Sequence, residues 1–379
     1  MKFVLSPDSF KESMSAKEVA ESMERGLKVV FPQAQYIKIP MADGGEGTVE
    51  SLVEATSGKI YNVSVTDPLG NPVVANFGIL GDKKTAVIEM ASASGIQLVP
   101  QNKRNPSVTT TYGTGELIKA ALEKGANHLI IGIGGSGTND GGAGMLQALG
   151  VRFLTKNNEE IPRGGKNLNL IHKIDISNLD SRLSKVKVEV ACDVTNPLTG
   201  KEGASYIFGP QKGATEEMVK ELDNNLKHYA KVIREQIGKD VENISGAGAA
   251  GGLGAGLLAF LDTKLVRGVD LIIHYTNLES HIKDADFVFT GEGSIDSQTL
   301  FGKTPFGVAS VAKKYNVPVI VLAGRIGKGY EKLYDHGITA IFNILSKVTT
   351  LEHALKDGSQ NVETTSQNIG RLIKASQDI

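Results

Sequence analysis

A glycine-rich segment between residues 129 and 144 has the clearest chemical meaning in this sequence. It reads LIIGIGGSGTNDGGAG, an apolar stretch that runs into a loop of Gly, Ser, Thr, Asn and Asp. Glycines let the backbone approach an anion and adopt positive φ, and the first amides of a following helix are unpaired and can donate to it. The segment predicts an anion-binding loop and chemistry on a phosphate-bearing small molecule. The groups expected to contact the anion are Gly134, Gly135, Ser136, Asn139 and Gly141.

The same segment matches a second, weaker motif. Gly132, Gly134 and Gly137 have the GxGxxG spacing of dinucleotide-binding proteins. That motif requires an acidic residue after a second strand about 20 residues further on, whereas residues 151–160 read as a loop. A nicotinamide-dependent oxidoreductase is therefore an alternative with little support. The spacing recurs within residues 246–251, where close packing of a small-residue helix start is the competing explanation.

The segment 291–307, GEGSIDSQTLFGKTPFG, places a lysine at a predicted helix start. Gly302, Lys303 and Thr304 resemble the end of a Walker A loop, but Ser297 stands where that motif requires its first glycine. The nucleotide loop of that class is therefore excluded. A lysine and free amides at a helix N-terminus still attract phosphate, so Lys303 is predicted to bind a phosphate group.

Carboxylates at predicted loop tips, beside glycines and near the ends of predicted strands, form a third signal. Ligands of open α/β sheets bind beyond the carboxyl ends of the strands, and metal-assisted phosphoryl transfer needs carboxylates to hold Mg²⁺ and orient the attacking hydroxyl. For any single residue, a turn or helix-cap role is the alternative. A non-catalytic anion-binding module would not explain so many carboxylates, because they repel anions unless a metal lies between. The candidates are Asp8, Asp43, Glu46, Asp140, Asp193, Glu292 and Asp296.

The composition argues against several other classes of protein. The 379 residues include 41 Lys+Arg and 42 Asp+Glu, so no summed charge attracts nucleic acid or an anionic membrane. The sequence has neither a signal peptide nor an apolar run of about 18 residues, so a cytoplasmic protein without a membrane partner is expected. The single cysteine, Cys192, lies in an apolar strand and is expected to be buried and inert. The seven histidines show no zinc-binding spacing.

The elements that must position these groups follow two patterns. Near both ends of the chain, apolar strands alternate with amphipathic helices, beginning with a strand at 2–6 and a helix capped by Ser15 and Glu18. This alternation predicts a parallel sheet that is covered on both faces. Residues 58–112 instead predict an antiparallel meander, which fits poorly inside such a sheet.

The length and the change of pattern predict two domains. The first is formed by residues 1–57 together with residues 270–379. The second, residues 58–269, is inserted between them and contains the meander and the glycine-rich loop.

Nine segments, taken in chain order, resemble the successive motifs of bacterial class I glycerate kinases. They are SPDSFKESMSA, DGGEGT, EMASASGIQLV, RNPSVTTTYGTGELI, GIGGSGTNDGGAGMLQALG, ACDVTNPLTG, FGPQKGA, GAGAAGGLGAG and TGEGSIDSQTLFGKTPFGVA. They are long and specific, and together they span essentially the whole chain. Two small departures occur, at Glu12, where a Gly is common, and at Gly137, where an Ala is common. The sequence is identified as a member of this family by resemblance.

The resemblance implies a kinase that uses Mg²⁺ and transfers the γ-phosphoryl group of ATP to a hydroxyl of D-glycerate. Its partners would be these two small molecules, and a homo-oligomer is left open. The expected product is 2-phosphoglycerate, with 3-phosphoglycerate as the alternative. The implied fold is α/β: a flavodoxin-like, doubly wound parallel-sheet domain with an inserted mixed α/β domain, and the site in the cleft between them.

Motif positions and chemistry together suggest roles for individual residues. A transition state that spreads charge over the phosphoryl oxygens needs fixed cations, and the reacting hydroxyl needs a carboxylate to orient it. The candidate catalytic residues are Asp193, Lys11, Asp8 and Asp296. The candidate metal ligands are Asp43 and Asp193. The further candidate cations for phosphate or carboxylate are Lys212 and Lys303.

Overall fold

The computed structural model describes residues 1–377 and divides into two compact units. Unit 1 consists of Met1–Asp43, Glu54–Thr56 and the chain from Arg267 onward. Unit 2 consists of Gly44–Val53 and Ser57–Val266. Residues 44–53 thus pack with unit 2, although their sequence pattern predicted that they belong with the chain ends. The domain boundaries proposed from the sequence stay predictions.

Strands and helices alternate along most of the described chain. The strands are β1 (Lys2–Leu5), β2 (Gln35–Lys38), β3 (Lys59–Thr66), β4 (Pro72–Ile79), β5 (Thr85–Glu89), β6 (His128–Gly132), β7 (Arg152–Leu154), β8 (Lys173–Asp175), β9 (Lys187–Ala191), β10 (Thr263–Val266), β11 (Phe287–Ile295), β12 (Val319–Ile326) and β13 (Ala340–Asn343). The α-helices are α1 (Ala16–Val30), α2 (Thr48–Ala55), α3 (Ala91–Ser94), α4 (Tyr112–Glu123), α5 (Ala143–Ala148), α6 (Ala204–Phe208), α7 (Glu216–Ile237), α8 (Ala249–Phe260), α9 (Gly268–Tyr275), α10 (Leu278–Ile282), α11 (Thr304–Lys313), α12 (Leu351–Lys356) and α13 (Gly358–Gln377). Among residues 1–377, none of these helices has the length and apolarity to span a bilayer.

Unit 1 is built on a five-stranded parallel sheet of order β13-β12-β11-β1-β2. Numbered within this unit alone, the order is the flavodoxin-like 2-1-3-4-5. β1 leads through α1 to β2 on one side, whereas β11 leads through α11 to β12 on the other. The crossover direction reverses between β1 and β11, so their carboxyl ends form the topological switch point, where sheets of this class bind ligands. The predicted α/β class with a parallel sheet is confirmed.

Helix α1 shows how the local sequence specifies an element of unit 1. Ser15 Oγ accepts a hydrogen bond from Glu18 N at 3.3 Å, and Glu18 Oε2 accepts one from Ser15 N at 2.8 Å, which is the predicted capping box. The apolar face, which includes Met23 and Leu27, is fully buried. Burial of each such side chain contributes about 1.5–3 kcal/mol to folding. The opposite helix, α13, approaches so closely that a Cβ at Gly26 would collide with its backbone.

Unit 2 contains a six-stranded mixed sheet of order β10-β9-β6-β5-β4-β3. β3, β4 and β5 form the predicted antiparallel meander, and the remaining neighbours pair in parallel. The expectation that residues 151–160 form a loop is wrong in part, because β7 lies there and pairs with β8 in a separate antiparallel ribbon. Its partner strand is distant in sequence, so no local pattern reveals the pairing.

Candidate active site

The carboxyl ends of β1 and β11 carry a group of polar side chains that we call the switch-point cluster. It consists of Asp8, Asp43, Glu292, Thr299, Lys303 and Thr304. Asp8 follows β1, and its amide donates to Gly291 O at 2.9 Å, while Glu292 lies within β11. Because β1 and β11 pair side by side, the two carboxylates meet although the chain separates them by most of its length. Asp8 and Glu292 are each only 8% exposed.

Both carboxylate oxygens of Asp8 are engaged. Oδ1 accepts from Ser9 N at 2.6 Å, and Oδ2 accepts from Thr304 Oγ1 at 2.6 Å. Burial, followed by the negative charge of Asp43, raises the pKa of Asp8 to about 6, although the hydrogen bonds and Lys11 oppose this shift. Asp8 is therefore a fixed carboxylate that lies close to a second negative charge, an arrangement that a cation would stabilise.

Glu292 is held on one side only. Its Oε1 accepts from Thr299 Oγ1 at 3.0 Å and from Lys303 Nζ at 3.2 Å, whereas no residue in the described chain donates to Oε2. Burial raises the pKa of Glu292 to about 7, despite the opposing charge of Lys303. Lys303, the predicted phosphate ligand, occupies the N-cap position of α11, and its side chain is half-exposed. Its ammonium has further donors besides the one used here.

Three more of the site residues predicted in unit 1 are Asp296 and Lys11, which lie outside the cluster as defined, and Asp43, which belongs to it. Asp296 caps the 3₁₀ turn Ser297–Phe301, where its Oδ1 accepts from Gln298 N at 2.8 Å, so it fills the helix-cap role named as the alternative. Lys11 is exposed, and its charge acts on Asp8. Asp43 is half-buried. Catalytic or metal-binding roles for these three residues stay predictions.

The glycine-rich loop of unit 2 differs from the expectation in one important respect. Asp140 lies fully buried beneath the loop instead of at its tip, and it accepts from Thr111 N at 2.8 Å, Gly142 N at 3.1 Å and Gly144 N at 3.3 Å. Met145 N donates to Thr111 Oγ1 at 2.9 Å. The expectation that the first amides of the following helix α5 are unpaired is therefore wrong, because Asp140 and Thr111 already satisfy them.

Lys212 lies beneath the same loop and is only 3% exposed. Its Nζ donates to Ser136 Oγ at 2.6 Å and to Thr138 O at 2.7 Å. Burial lowers the pKa of Lys212 to about 7, and the nearby charge of Asp140 opposes this shift. The side chain therefore supports the loop from inside, and its predicted role as a ligand for phosphate or carboxylate stays a prediction.

The remaining predicted loop residues divide into buried and exposed groups. Asn139 Nδ2 donates to Ser205 Oγ at 3.0 Å, and Gly141 N donates to Gly251 O at 3.0 Å, so both take part in the internal packing of unit 2. Gly134 and Gly135 form the exposed tip. Contact of any of these residues with a substrate stays a prediction, and the tip is the part that solvent reaches.

The second glycine-rich segment, residues 246–251, packs against the first. A Cβ at Gly251 would collide with the carbonyl oxygen of Thr138, and one at Gly248 would collide with the carbonyl oxygen of Pro197. These contacts favour close packing as the reason for its glycines.

Cys192 and Asp193 directly follow strand β9 in the chain. Asp193 is exposed, and its catalytic or metal-binding role stays a prediction. Cys192 is half-buried, its Sγ donates to Val194 O at 3.3 Å, and burial raises the pKa of its thiol, which opposes formation of a nucleophilic thiolate.

Sequence reasoning missed the partners that make the switch-point cluster a unit. Glu292 was one of several candidate carboxylates. The hydroxyls that support the two buried carboxylates, Thr299 for Glu292 and Thr304 for Asp8, were not predicted. The sequence GKT did mark Thr304 as the residue that opens a helix. The available signal for Glu292 was its place directly after the apolar stretch at residues 287–291, which reads as a strand.

Comparison with known proteins agrees with this architecture. The sequence model of the glycerate kinase family matches residues 3–374. The glycerate kinase of Bacillus subtilis is 56% identical over 374 residues, covering 99% of this chain and 98% of the relative. The glycerate 2-kinase of Escherichia coli is 55% identical over 373 residues, covering 98% of both chains. A crystal structure from Salmonella typhimurium LT2, described as that of a glycerate kinase 2, superposes with a TM-score of 0.91 at 53% identity over the full length of both chains. The chain therefore belongs to the glycerate kinase family.

Proposed function

We propose that this protein is a glycerate kinase that transfers the γ-phosphoryl group of ATP to the C2 hydroxyl of D-glycerate, giving 2-phosphoglycerate and ADP. Support comes from relatives named glycerate kinase and glycerate 2-kinase, which match nearly the whole chain. The observation that carries the proposal within the molecule is the switch-point cluster, where buried carboxylates and a lysine meet at the ligand-binding edge of a flavodoxin-like sheet. A cytoplasmic location stays a prediction from the sequence.

A magnesium ion fits the acidic side of this cluster. Burial, followed by the negative charge of Asp43, raises the pKa of Asp8. A divalent cation would relieve the repulsion between these two carboxylates. Mg²⁺ in kinases is commonly held by one or two carboxylates together with waters and phosphates. That pattern needs few protein ligands, and within residues 1–377 no group of three or more His, Cys, Asp or Glu side chains is arranged to hold a metal ion by itself. Asp43 would hold the ion, which would neutralise phosphate charge when bound, and Asp193 stays a further candidate ligand.

The cations of the cluster are proposed to bind phosphate. Lys303 lies at the N-terminus of α11, where the helix dipole also favours negative charge, and the charge of Lys11 acts on Asp8, where it opposes the rise in pKa that burial causes. Phosphoryl transfer depends on such positioned charges, because the transition state spreads negative charge over three oxygens. For unit 2, we propose that the exposed tip Gly134–Gly135 contacts an anionic group of a substrate, while the buried part of the loop keeps the tip in place.

NMR analysis of the reaction product tests the proposal directly. The purified protein would be incubated with ATP, Mg²⁺ and D-glycerate labelled with ¹³C, and both ³¹P and ¹³C spectra would be recorded. Coupling of the new phosphorus signal to C2 is the expected result, whereas coupling to C3 would establish 3-phosphoglycerate as the product. Parallel samples without ATP, or with L-glycerate, control for contaminating activities. The absence of any ATP-dependent phosphoglycerate would refute the proposal.

A further inference from the structure

The two buried carboxylates of the switch-point cluster differ in how much hydrogen-bonding capacity remains. Asp8 has a donor on each oxygen, at 2.6 Å in both cases. Glu292 has both of its donors, Thr299 and Lys303, on the single oxygen Oε1. Oε2 therefore keeps its lone pairs available, and the donors on Oε1 hold the carboxylate in one orientation. A group that accepts a proton during catalysis needs this combination of a fixed position and a free basic atom.

We propose that Glu292 is the general base of the reaction and that its Oε2 accepts the proton of the glycerate hydroxyl. This inference rests on the proposed kinase function. Its position supports it, because Glu292 is a strand residue at the topological switch point and is therefore fixed by the sheet, with Ala323 of β12 as its paired neighbour. The side chain is 10% exposed, so it is shielded from bulk water while remaining reachable.

The electrostatic environment suits this role. The charged groups that act on Glu292 are Lys303, which favours the carboxylate, and Asp8, which disfavours it. Burial is the largest influence and, together with the charge of Asp8, outweighs Lys303 and the hydrogen bonds, so the pKa of Glu292 is raised to about 7. A base with a pKa near the working pH is ionised often enough to act and basic enough to take a proton.

The chemical step balances without any further reactant. The hydroxyl oxygen of glycerate forms a bond to the γ-phosphorus, and the bond between that phosphorus and the β,γ-bridging oxygen breaks, with the electron pair leaving on ADP. The hydroxyl proton moves to Glu292 Oε2. The resulting carboxylic acid later returns this proton to water.

The test is a kinetic comparison of wild type with Glu292→Gln. Glutamine keeps a carbonyl oxygen for Thr299 and Lys303 but replaces the basic atom with an amide nitrogen. We expect kcat to fall by about 10²-fold or more, with little change in KM for ATP or D-glycerate. Wild-type kcat should decline as the pH falls below about 7, and the residual activity of the variant should lack this decline. A purely structural role would not remove the pH dependence selectively.

Two further variants keep the test decisive. Glu292→Asp retains a carboxylate in a shortened side chain, so it should keep the pH dependence at reduced kcat. Glu279→Gln makes the same chemical change at an exposed position of unit 1 and should behave like wild type. If the wild type is active and Glu292→Gln retains both its kcat and its pH dependence, the assignment of the base is wrong while the kinase proposal stands. If the wild type forms no phosphoglycerate, both are wrong.

Discussion

Replacement of Asp140 by Asn should strongly destabilise unit 2, although the two side chains have nearly the same shape. The carboxylate accepts backbone hydrogen bonds from Thr111 and Gly144 on Oδ2 and from Gly142 on Oδ1. In Asn, one of these oxygens becomes an NH₂ group, which donates and cannot accept. Whichever way the amide is oriented, at least one buried N–H loses its acceptor.

The size of the effect follows from these contacts. A buried donor that loses its acceptor costs about 1–3 kcal/mol. The hydrogen bonds that remain lose the charge of their acceptor, which costs roughly another 1 kcal/mol in total, since charge-assisted bonds are about twice as strong as neutral ones. The buried Lys212 also loses the negative charge that acts on it. We therefore expect a loss of about 3 kcal/mol in the free energy of unfolding.

Urea unfolding followed by far-ultraviolet circular dichroism measures this loss. With a denaturant slope of about 2 kcal/mol/M, the midpoint of the transition that includes unit 2 should fall by roughly 1.5 M. Asp240→Asn is the matched control, because Asp240 is an exposed residue of the same unit, and its midpoint should equal that of wild type. A midpoint for Asp140→Asn that also equals the wild-type value would refute the reasoning that Asp140 anchors the loop.

Four other predictions follow from particular residues. Burial lowers the pKa of Lys212 from 10.5 to about 7. Between pH 7 and pH 10.5 the unfolded chain therefore binds more protons than the folded protein, so the free energy of unfolding of the wild type should rise with pH in this range. Lys212→Met should abolish that rise in urea midpoints measured from pH 7 to 10. Glu12→Gly should stabilise unit 1 by about 0.5–1 kcal/mol, because φ is +64° at Glu12, a conformation that glycine adopts more easily. A urea midpoint for this variant below that of wild type would contradict this expectation. Lys303→Ala should raise KM for ATP, and unchanged kinetics would show that Lys303 does not bind a substrate phosphate. Asp193→Asn should lower kcat by about 10²-fold with the fold retained, and near-normal turnover would remove Asp193 from the site.

Much of the architecture was accessible from the sequence because it depends on local patterns. Alternating apolar strands and amphipathic helices predicted the parallel sheet of unit 1, and the capping box at Ser15 predicted the start of α1. The period of the strands between residues 58 and 89 predicted the meander of unit 2. In each case, the hydrogen bonds and the buried face belong to residues close together in the chain, so their spacing carries the information.

The site depended on contacts that no spacing expresses. The sequence marked Asp8, Glu292 and Lys303 as separate candidates, but only the pairing of β1 with β11 brings the first two together at the switch point. It also indicated a glycine-rich loop with open helix amides, whereas the fold places Asp140 against them. Burial raises the pKa of both Asp8 and Glu292, and it arises from the packing of elements that are distant in the chain. The Thr304 hydroxyl that occupies Oδ2 of Asp8 likewise comes from a residue 296 positions away. The residue types were therefore set by the sequence alone, while their chemical roles were decided by the tertiary structure.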